Sequence, residues 1–262
     1  MPLISVVTAV LAGKHQFLGE VYKSLLGQRM PPDWDWQWIV QEDGETGIPQ
    51  AALPTDPRIS AGSGPRSRAS AARTVALSRV DGALLRTVDA DDLLPEGALY
   101  RDITTLIDHP TIGWCVSPTV DLVRDGSLRS GPRDPNPGPL PPGFLADGER
   151  AGMLQVHGMT LCTYAALVRT LGGWPALPMQ EDVGLLLAAE AVAEGWMIQE
   201  PGLIYRRWSG NTTDETDKRI PSVGNDLRTV LLDRADQLRA IGWRWRPPGV
   251  GQRPPSRAVQ IT

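Results

Sequence analysis

Along the first 110 residues, the apolar positions switch between two spacings. Ile4-Ser5-Val6-Val7 is a short β-branched run, the mark of a buried strand. Phe17, Leu18, Val21, Tyr22 and Leu25 then recur at helical intervals and Gly27 supplies a stop, so a helix is predicted over Phe17–Gln28. Trp34, Trp36 and Trp38 alternate ahead of Ile39-Val40, predicting a strand whose aromatic face packs inward. Strand, helix, strand within about 40 residues is the rhythm of a parallel sheet.

The alternation continues. Asp43–Pro65 lacks periodicity and reads as loop, and a helix near Ser67–Ser78 carries Arg73. Ala83-Leu84-Leu85-Arg86-Thr87-Val88 reads as the next strand and leads straight into Asp89-Ala90-Asp91-Asp92. Pro95 opens a helix to Asp108 with Leu99, Ile103, Leu106 and Ile107 on one side, and Ile112–Val123 is strand-like. Ser130–Gly143 holds six prolines and no apolar period, which predicts a surface loop, mobile without ligand and on the acceptor side of a cleft. Val183–Ala193 reads as a core helix and Gly202–Arg207 as a last strand. Leu227, Val230, Leu231, Leu238 and Ile241 mark an amphipathic helix stopped by Gly242, and the Pro/Gly-rich tail after Arg246 is expected to be disordered or draped. The expected organisation is one α/β domain over residues 1–220, with a C-terminal helix and tail over 221–262.

Composition narrows the chemistry. Of 262 residues, 41% are hydrophobic and 21% charged, as in ordinary globular chains. The net charge of −4 disfavours a protein that grips nucleic acid by neutralising phosphates. Cys115 and Cys162 are too few for a disulfide framework. The first basic residue is Lys14, so Met1–Val10 has no charged n-region, and no apolar run is long enough for a bilayer; neither a signal peptide nor a transmembrane segment is expected, and a cytoplasmic location is the expectation. The basic set is 23 Arg and 3 Lys, a bias of GC-rich bacterial genomes that weakens any single arginine as a signal.

Three acidic clusters fall at strand ends: Glu42-Asp43, Asp89-Ala90-Asp91-Asp92 and Glu181-Asp182. Ligands of an open parallel sheet bind beyond the carboxyl ends of its strands. Carboxylates gathered there repel one another unless a cation or a partner such as Arg73 sits among them. Such oxygen donors suit Mg2+ or Mn2+ with positions left for phosphate oxygens, so a metal-bound diphosphate is the inferred ligand. The plainer alternative makes them turn and cap residues, with Asp92 capping the helix that Pro95 opens.

The order of these pieces resembles the inverting family 2 glycosyltransferases of GT-A (nucleotide-diphospho-sugar transferase) fold, from about Leu3 to Thr213. The family's V-S-V-V strand and S-L-L-x-Q helix end are matched by Ile4-Ser5-Val6-Val7 and Ser24-Leu25-Leu26-Gly27-Gln28. Its V-D-D-G-S is matched by Val40-Gln41-Glu42-Asp43-Gly44-Glu45, its A-R-N by Ala72-Arg73-Thr74 and its L-D-x-D-D by Val88–Asp92. Gly172-Gly173-Trp174 and Glu181-Asp182 match G-G-F and E-D. The resemblance implies a mostly parallel central sheet flanked by helices, and transfer of a sugar from a nucleoside diphosphate sugar, UDP by default, to an acceptor hydroxyl. It implies that Ala9, Asp43, Arg73, Asp89 and Ala90 hold the donor, that Asp91 and Asp89 bind Mn2+ or Mg2+, and that Asp182 is the general base. Glu181, Trp174 and His157 are expected to support the base or touch the acceptor, a small molecule or a cell-envelope intermediate. For His157 a structural hydrogen bond, and for Trp174 packing, are the plainer readings.

Departures from the pattern matter. Ala9-Val10-Leu11-Ala12 stands where the family has P-T-Y-N, leaving backbone contacts only, and Thr74 replaces the asparagine. Arg206-Arg207-Trp208 stands where many relatives have a histidine, so either an arginine carries the phosphate charge or metal dependence is weaker. These losses keep open a non-catalytic nucleotide- or carbohydrate-binding module on a decayed enzyme fold.

Overall fold

The computed structural model describes residues 1–130, 134–207 and 221–248. Eight strands form the main sheet in the order β3-β2-β1-β4-β9-β5-β10-β8. The first four are β1 (Leu3–Val10), β2 (Asp35–Glu42), β3 (Ile59–Gly62) and β4 (Leu84–Thr87), all parallel. The rest are β5 (Ile112–Val116), β8 (Gly138–Leu140), β9 (Cys162–Tyr164) and β10 (Glu194–Met197). β9 lies antiparallel between β4 and β5, β10 is parallel to β5, and β8 closes the edge antiparallel to β10.

The helices cover this sheet as the spacing predicts. α1 (Leu18–Leu26) buries Leu18, Val21 and Leu25. Tyr22 stacks on Trp38 at 6.2 Å and meets Trp36 edge-on at 6.5 Å. The aromatic face of β2 is therefore packing, and the Trp38 indole is satisfied inside by Thr8 Oγ1 at 3.0 Å. α2 (Ile48–Ala51) is a single turn, and α3 (Arg68–Ala76) carries Arg73 inward. α4 (Ala98–Asp108) buries Leu99, Ile103 and Leu106, followed later by α5 (Phe144–Arg150) and α6 (Ala165–Thr170). α7 (Glu181–Val192) is apolar nearly all round and buried from Gly184 to Val192. Each of its buried leucines contributes about 1.5–3 kcal/mol of transfer free energy. That burial is what fixes its N-terminal turn, where Glu181 and Asp182 stand.

A smaller sheet, β11-β6-β7, joins β6 (Thr119–Leu122), β7 (Leu128–Ser130) and β11 (Leu203–Arg206). β11 also bridges Leu93, with Leu93 N donating to Ile204 O and Ile204 N to Leu93 O. α8 (Pro221–Ala240) packs on α7 and α5, burying Leu227, Leu231 and Ala235. Arg228 adds an ion pair to Glu149 at 2.9 Å.

Several expectations need correction. The strand region Ile112–Val123 is two strands in two different sheets. The Pro-rich loop contains β8: Pro139 pairs with Trp196 on the sheet edge, where a residue without N–H is tolerated. No described residue of 130–143 lines the cleft described below. Asp92 does not cap the helix after Pro95; the cap is Gly97 in the left-handed region at φ 74°, and Asp92 Oδ1 accepts from Arg206 N at 2.9 Å. The tail expected after Arg246 falls mostly outside the described residues; just ahead of it, Trp245 N donates to Val192 O and its ring packs 5.3 Å from Tyr164. Residues 208–220, with Trp208 and Thr213, and residues 249–262 lie outside the described residues. No described helix is long and apolar enough to cross a membrane.

Candidate active site

The order of the four parallel strands sets the place of the site. β2 and β3 extend the sheet on one side of β1, and the chain then crosses to put β4 on the other. Loops leaving the carboxyl ends of β1 and β4 diverge at such a reversal and leave a crevice. A cleft of about 400 Å³ opens there. That size suits a small ligand.

Each wall follows from local chemistry. β1 delivers Ala9, whose small side chain leaves the backbone near the cleft accessible. At the end of β2, Glu42 turns away and accepts from Thr46 N, Thr46 Oγ1 and Gly47 N. Burial works to raise the Glu42 pKa, but these donors outweigh it and hold it below the ordinary value. Asp43 is thereby left to face the cleft, with Oδ1 accepting from Ser67 N at 2.6 Å. That bond pins the segment carrying Arg66 and Arg68, two exposed cations on the cleft wall. The non-glycine residues with left-handed backbone among those described are Asp33, Arg68 and Gln180, and the last two line the cleft. Each costs on the order of 1–3 kcal/mol, the kind of strain that gathers at functional sites.

After β4 the chain forms the acidic turn. Asp89, Ala90, Asp91 and Asp92 all line the cleft. Arg73, almost fully buried, donates from Nη2 to Asp89 Oδ1 at 2.5 Å and from Nη1 to Glu181 Oε1. Burial opposes the Arg73 charge, but Asp89, Glu181 and Asp182 outweigh it and raise its pKa. Lys14, beyond the end of β1, places Nζ 2.7 Å from Asp91 Oδ2. Asp92 is buried and its Oδ2 has no partner, so burial first and Asp89 second push its pKa well up. Asp89 is raised too, by burial more than by its acidic neighbours, with Arg73 pulling the other way.

The opposite wall holds the N-terminus of α7 and the turn before β9. Asp182 and Glu181 occupy the first turn of α7 and face the cleft. Among the described residues no hydrogen bond or ion pair closes on the Asp182 carboxylate, unlike Asp89, Asp91 and Glu181. His157 lines the cleft and also has its structural bond, Nδ1 accepting from Met159 N at 3.3 Å. Its ring lies 5.1 Å from Tyr205. Burial, then Asp92, pushes the Tyr205 hydroxyl up to about 12, so it remains an O–H donor at working pH.

Nine of the ten residues named from the sequence therefore share one cleft. The exception is Trp174, which is buried in the core outside it, its backbone tied to Thr74 Oγ1 at 3.1 Å. Of the residues at the end of β11, Arg206 donates from Nε to Asp91 O at 2.8 Å and from Nη2 to Glu20, while Arg207 pairs with Asp121. Arg206 thus braces the acidic turn from behind, and neither arginine lines the cleft. The sequence reading did not single out Lys14, Tyr205 or the orphaned Asp92 oxygen. Lys14 had one usable signal: it is one of three lysines among 26 basic residues and it follows a strand end.

As a metal centre, the cleft offers hard oxygen donors, and Asp92 Oδ2 is a buried acceptor in need of a partner. The group of three metal-type ligands brought closest together among the described residues lies elsewhere, at Asp102, Cys115 and Cys162. It is wholly buried beside Arg86, 3.7 Å from Asp102, and belongs to the core.

With this geometry in view, the chain can be set beside known proteins. No protein-family model matches it, and neither does any curated protein sequence. Its fold is that of S. aureus TarS. The structure of TarS residues 1–349 in complex with UDP-GlcNAc superposes with a TM-score of 0.67 at 16% identity, over 92% of this chain and 71% of that one. The complex of the same segment with UDP gives 0.61 at 16% identity, covering 92% and 70%. A structure of TarS gives 0.63 at 15% identity, covering 93% of this chain and 44% of that one. The mixed sheet flanked by helices is thus a GT-A-like arrangement.

Proposed function

We propose that this protein is an inverting glycosyltransferase that moves a sugar from a nucleoside diphosphate sugar, a UDP-sugar by default, to an acceptor hydroxyl. One observation carries the reading. Asp182 faces, across one cleft, the Asp89–Asp92 turn and Arg73, so a carboxylate with no hydrogen bond among the described residues stands opposite a charged diphosphate cradle. The fold shared with structures that hold UDP and UDP-GlcNAc supports the same ligand class.

In this reading Ala9 and Asp43 flank the nucleobase and ribose, and Asp89 stands by the ribose, oriented by Arg73. Asp182 takes the acceptor proton as the bond to the anomeric carbon forms. Glu181 is held by Arg73 and supports the turn that carries Asp182. Asp91 and Asp89 are the residues that would hold Mn2+ or Mg2+, with Asp92 Oδ2 as a further acceptor. A bound divalent ion supplies charge neutralisation to the departing diphosphate. Lys14, paired with Asp91 at 2.7 Å on the cleft wall, would offer its ammonium to the phosphates. The acceptor is a small molecule or a cell-envelope intermediate.

The test is release of nucleoside diphosphate from a panel of sugar donors, with and without Mn2+. Turnover of a UDP-sugar, accelerated by the metal, is expected. Nucleotide binding without turnover of any donor would leave a binding module instead.

A further inference from the structure

We propose that Gly158 is a positioning residue for Asp182: its missing Cβ is the seat in which the base carboxylate rests. This deepens the reading of Asp182 as general base and rests on it. A Cβ built on Gly158 would stand 2.5 Å from Asp182 Oδ2, 2.9 Å from its carboxyl carbon and 3.0 Å from its backbone carbonyl carbon. Real side chains do not tolerate the first of these distances. The glycine is not needed by its own backbone, since Gly158 is absent from the left-handed positions. Only the close approach of Asp182 requires it.

The seat is stiff. Gly158 opens a single turn of 3-10 helix, Gly158–Thr160, in which the His157 ring accepts from Met159 N and Thr160 Oγ1 donates to His157 O at 2.8 Å. From below, Arg86 donates through Nη1 to Thr160 O and through Nη2 to Gly202 O at 2.8 Å. Arg86 is fully buried and held opposite Asp102. One guanidinium therefore ties the turn under Asp182 to the segment leading into β11, which brings Tyr205 to the cleft. Since no hydrogen bond from the described residues fixes the Asp182 carboxylate, steric contact with this turn is what places it.

Two thermodynamic cycles test the proposal. In the first, thermal melts compare Gly158→Ala in the wild-type and Asp182→Ala backgrounds. The substitution should lower Tm by several degrees in wild type and clearly less where the carboxylate is gone. If Gly158→Ala alone fails to fold, recovery of a folded protein in the double variant supports the seat, and its absence overturns it. In the second, UDP release from UDP-GlcNAc is followed. Gly158→Ala should lower kcat about 10- to 100-fold, the cost of moving a reacting group by about 1 Å, with UDP affinity unchanged. Added to Asp182→Asn it should cost nothing further. Equal destabilisation in both backgrounds, or a loss additive with Asp182→Asn, overturns the seat. Full activity of Asp182→Asn overturns the base assignment instead, and the stability cycle then still reports on the contact by itself.

Discussion

Residue by residue, the cleft separates carboxylates by what holds them. Asp89 and Glu181 share Arg73, Asp91 has Lys14, and among the described residues Asp182 has neither hydrogen bond nor ion pair. A base must be accessible and uncommitted, and Asp182 alone of these four is. Asp182→Asn keeps the shape and removes the basicity, so turnover of the accepted donor should fall about 100- to 10,000-fold with donor affinity preserved. If Glu181→Gln proves the more damaging change in steady-state assays, the base is Glu181. Asp91→Ala should abolish the Mn2+-dependent gain in UDP affinity measured by calorimetry and leave the metal-free affinity in place. Lys14→Met should do the opposite and strengthen Mn2+ binding in the absence of nucleotide, because the ammonium no longer competes for Asp91 Oδ2. Of these residues the sequence exposed Asp91 by its position after an apolar strand and Asp182 by its position at the head of an apolar helix. Lys14 and Gly158 were hidden because their roles depend on contacts 77 and 24 residues away along the chain.

Elements were legible in proportion to their burial. β1, β2, β4, α1 and α7 are read from apolar runs and periods because each buries a continuous face. β3, β8 and β9 have three or four residues each and are held mainly by neighbours, so no period could announce them. β4 also hides a charge: Arg86 is fully buried and stands 3.7 Å from Asp102, with Asp102 Oδ2 unbonded. Removing one partner of such a pair leaves an uncompensated buried charge. Asp102→Ala should therefore cost about 3–5 kcal/mol in urea unfolding. On the opposite flank, Arg58 grips Asp56 from Nε at 3.0 Å and Nη2 at 2.6 Å and lies 3.7 Å over Trp36, while Tyr22 donates to Asp56 at 2.8 Å. Arg58 holds Asp56 far below the usual carboxylate range, its effect outweighing burial. A depressed folded pKa stabilises the protein above the ordinary value of 3.8 and loses that contribution as acid protonates the group. The urea midpoint should fall between about pH 5 and pH 2, and it should fall less in Asp56→Ala.

For the molecule as a whole, the C-terminal helix is part of the fold. α8 covers α7 through Leu231 and Ala235, and Arg239 lies 3.9 Å from the buried Glu190, which itself accepts from Leu145 N and Ala146 N at the start of α5. A chain ended at residue 220 bares that apolar face. It should lose several degrees of Tm or precipitate on expression, as a melt or a sedimentation assay would show. The placing of β9 has a different consequence, for the order of events in folding. β1 to β4 lie within the first 87 residues and pair with one another early, although the outer edge of β4 also waits for β9. β5 is made by residue 116, but both its partners, β9 and β10, come later, the first ending at Tyr164. During synthesis β5 therefore waits with two open edges until about fifty more residues have emerged, a stretch in which loop closure is slow and stray pairing is easiest. The strand that joins the two halves of the sheet is also the one whose lateness makes the nascent chain vulnerable.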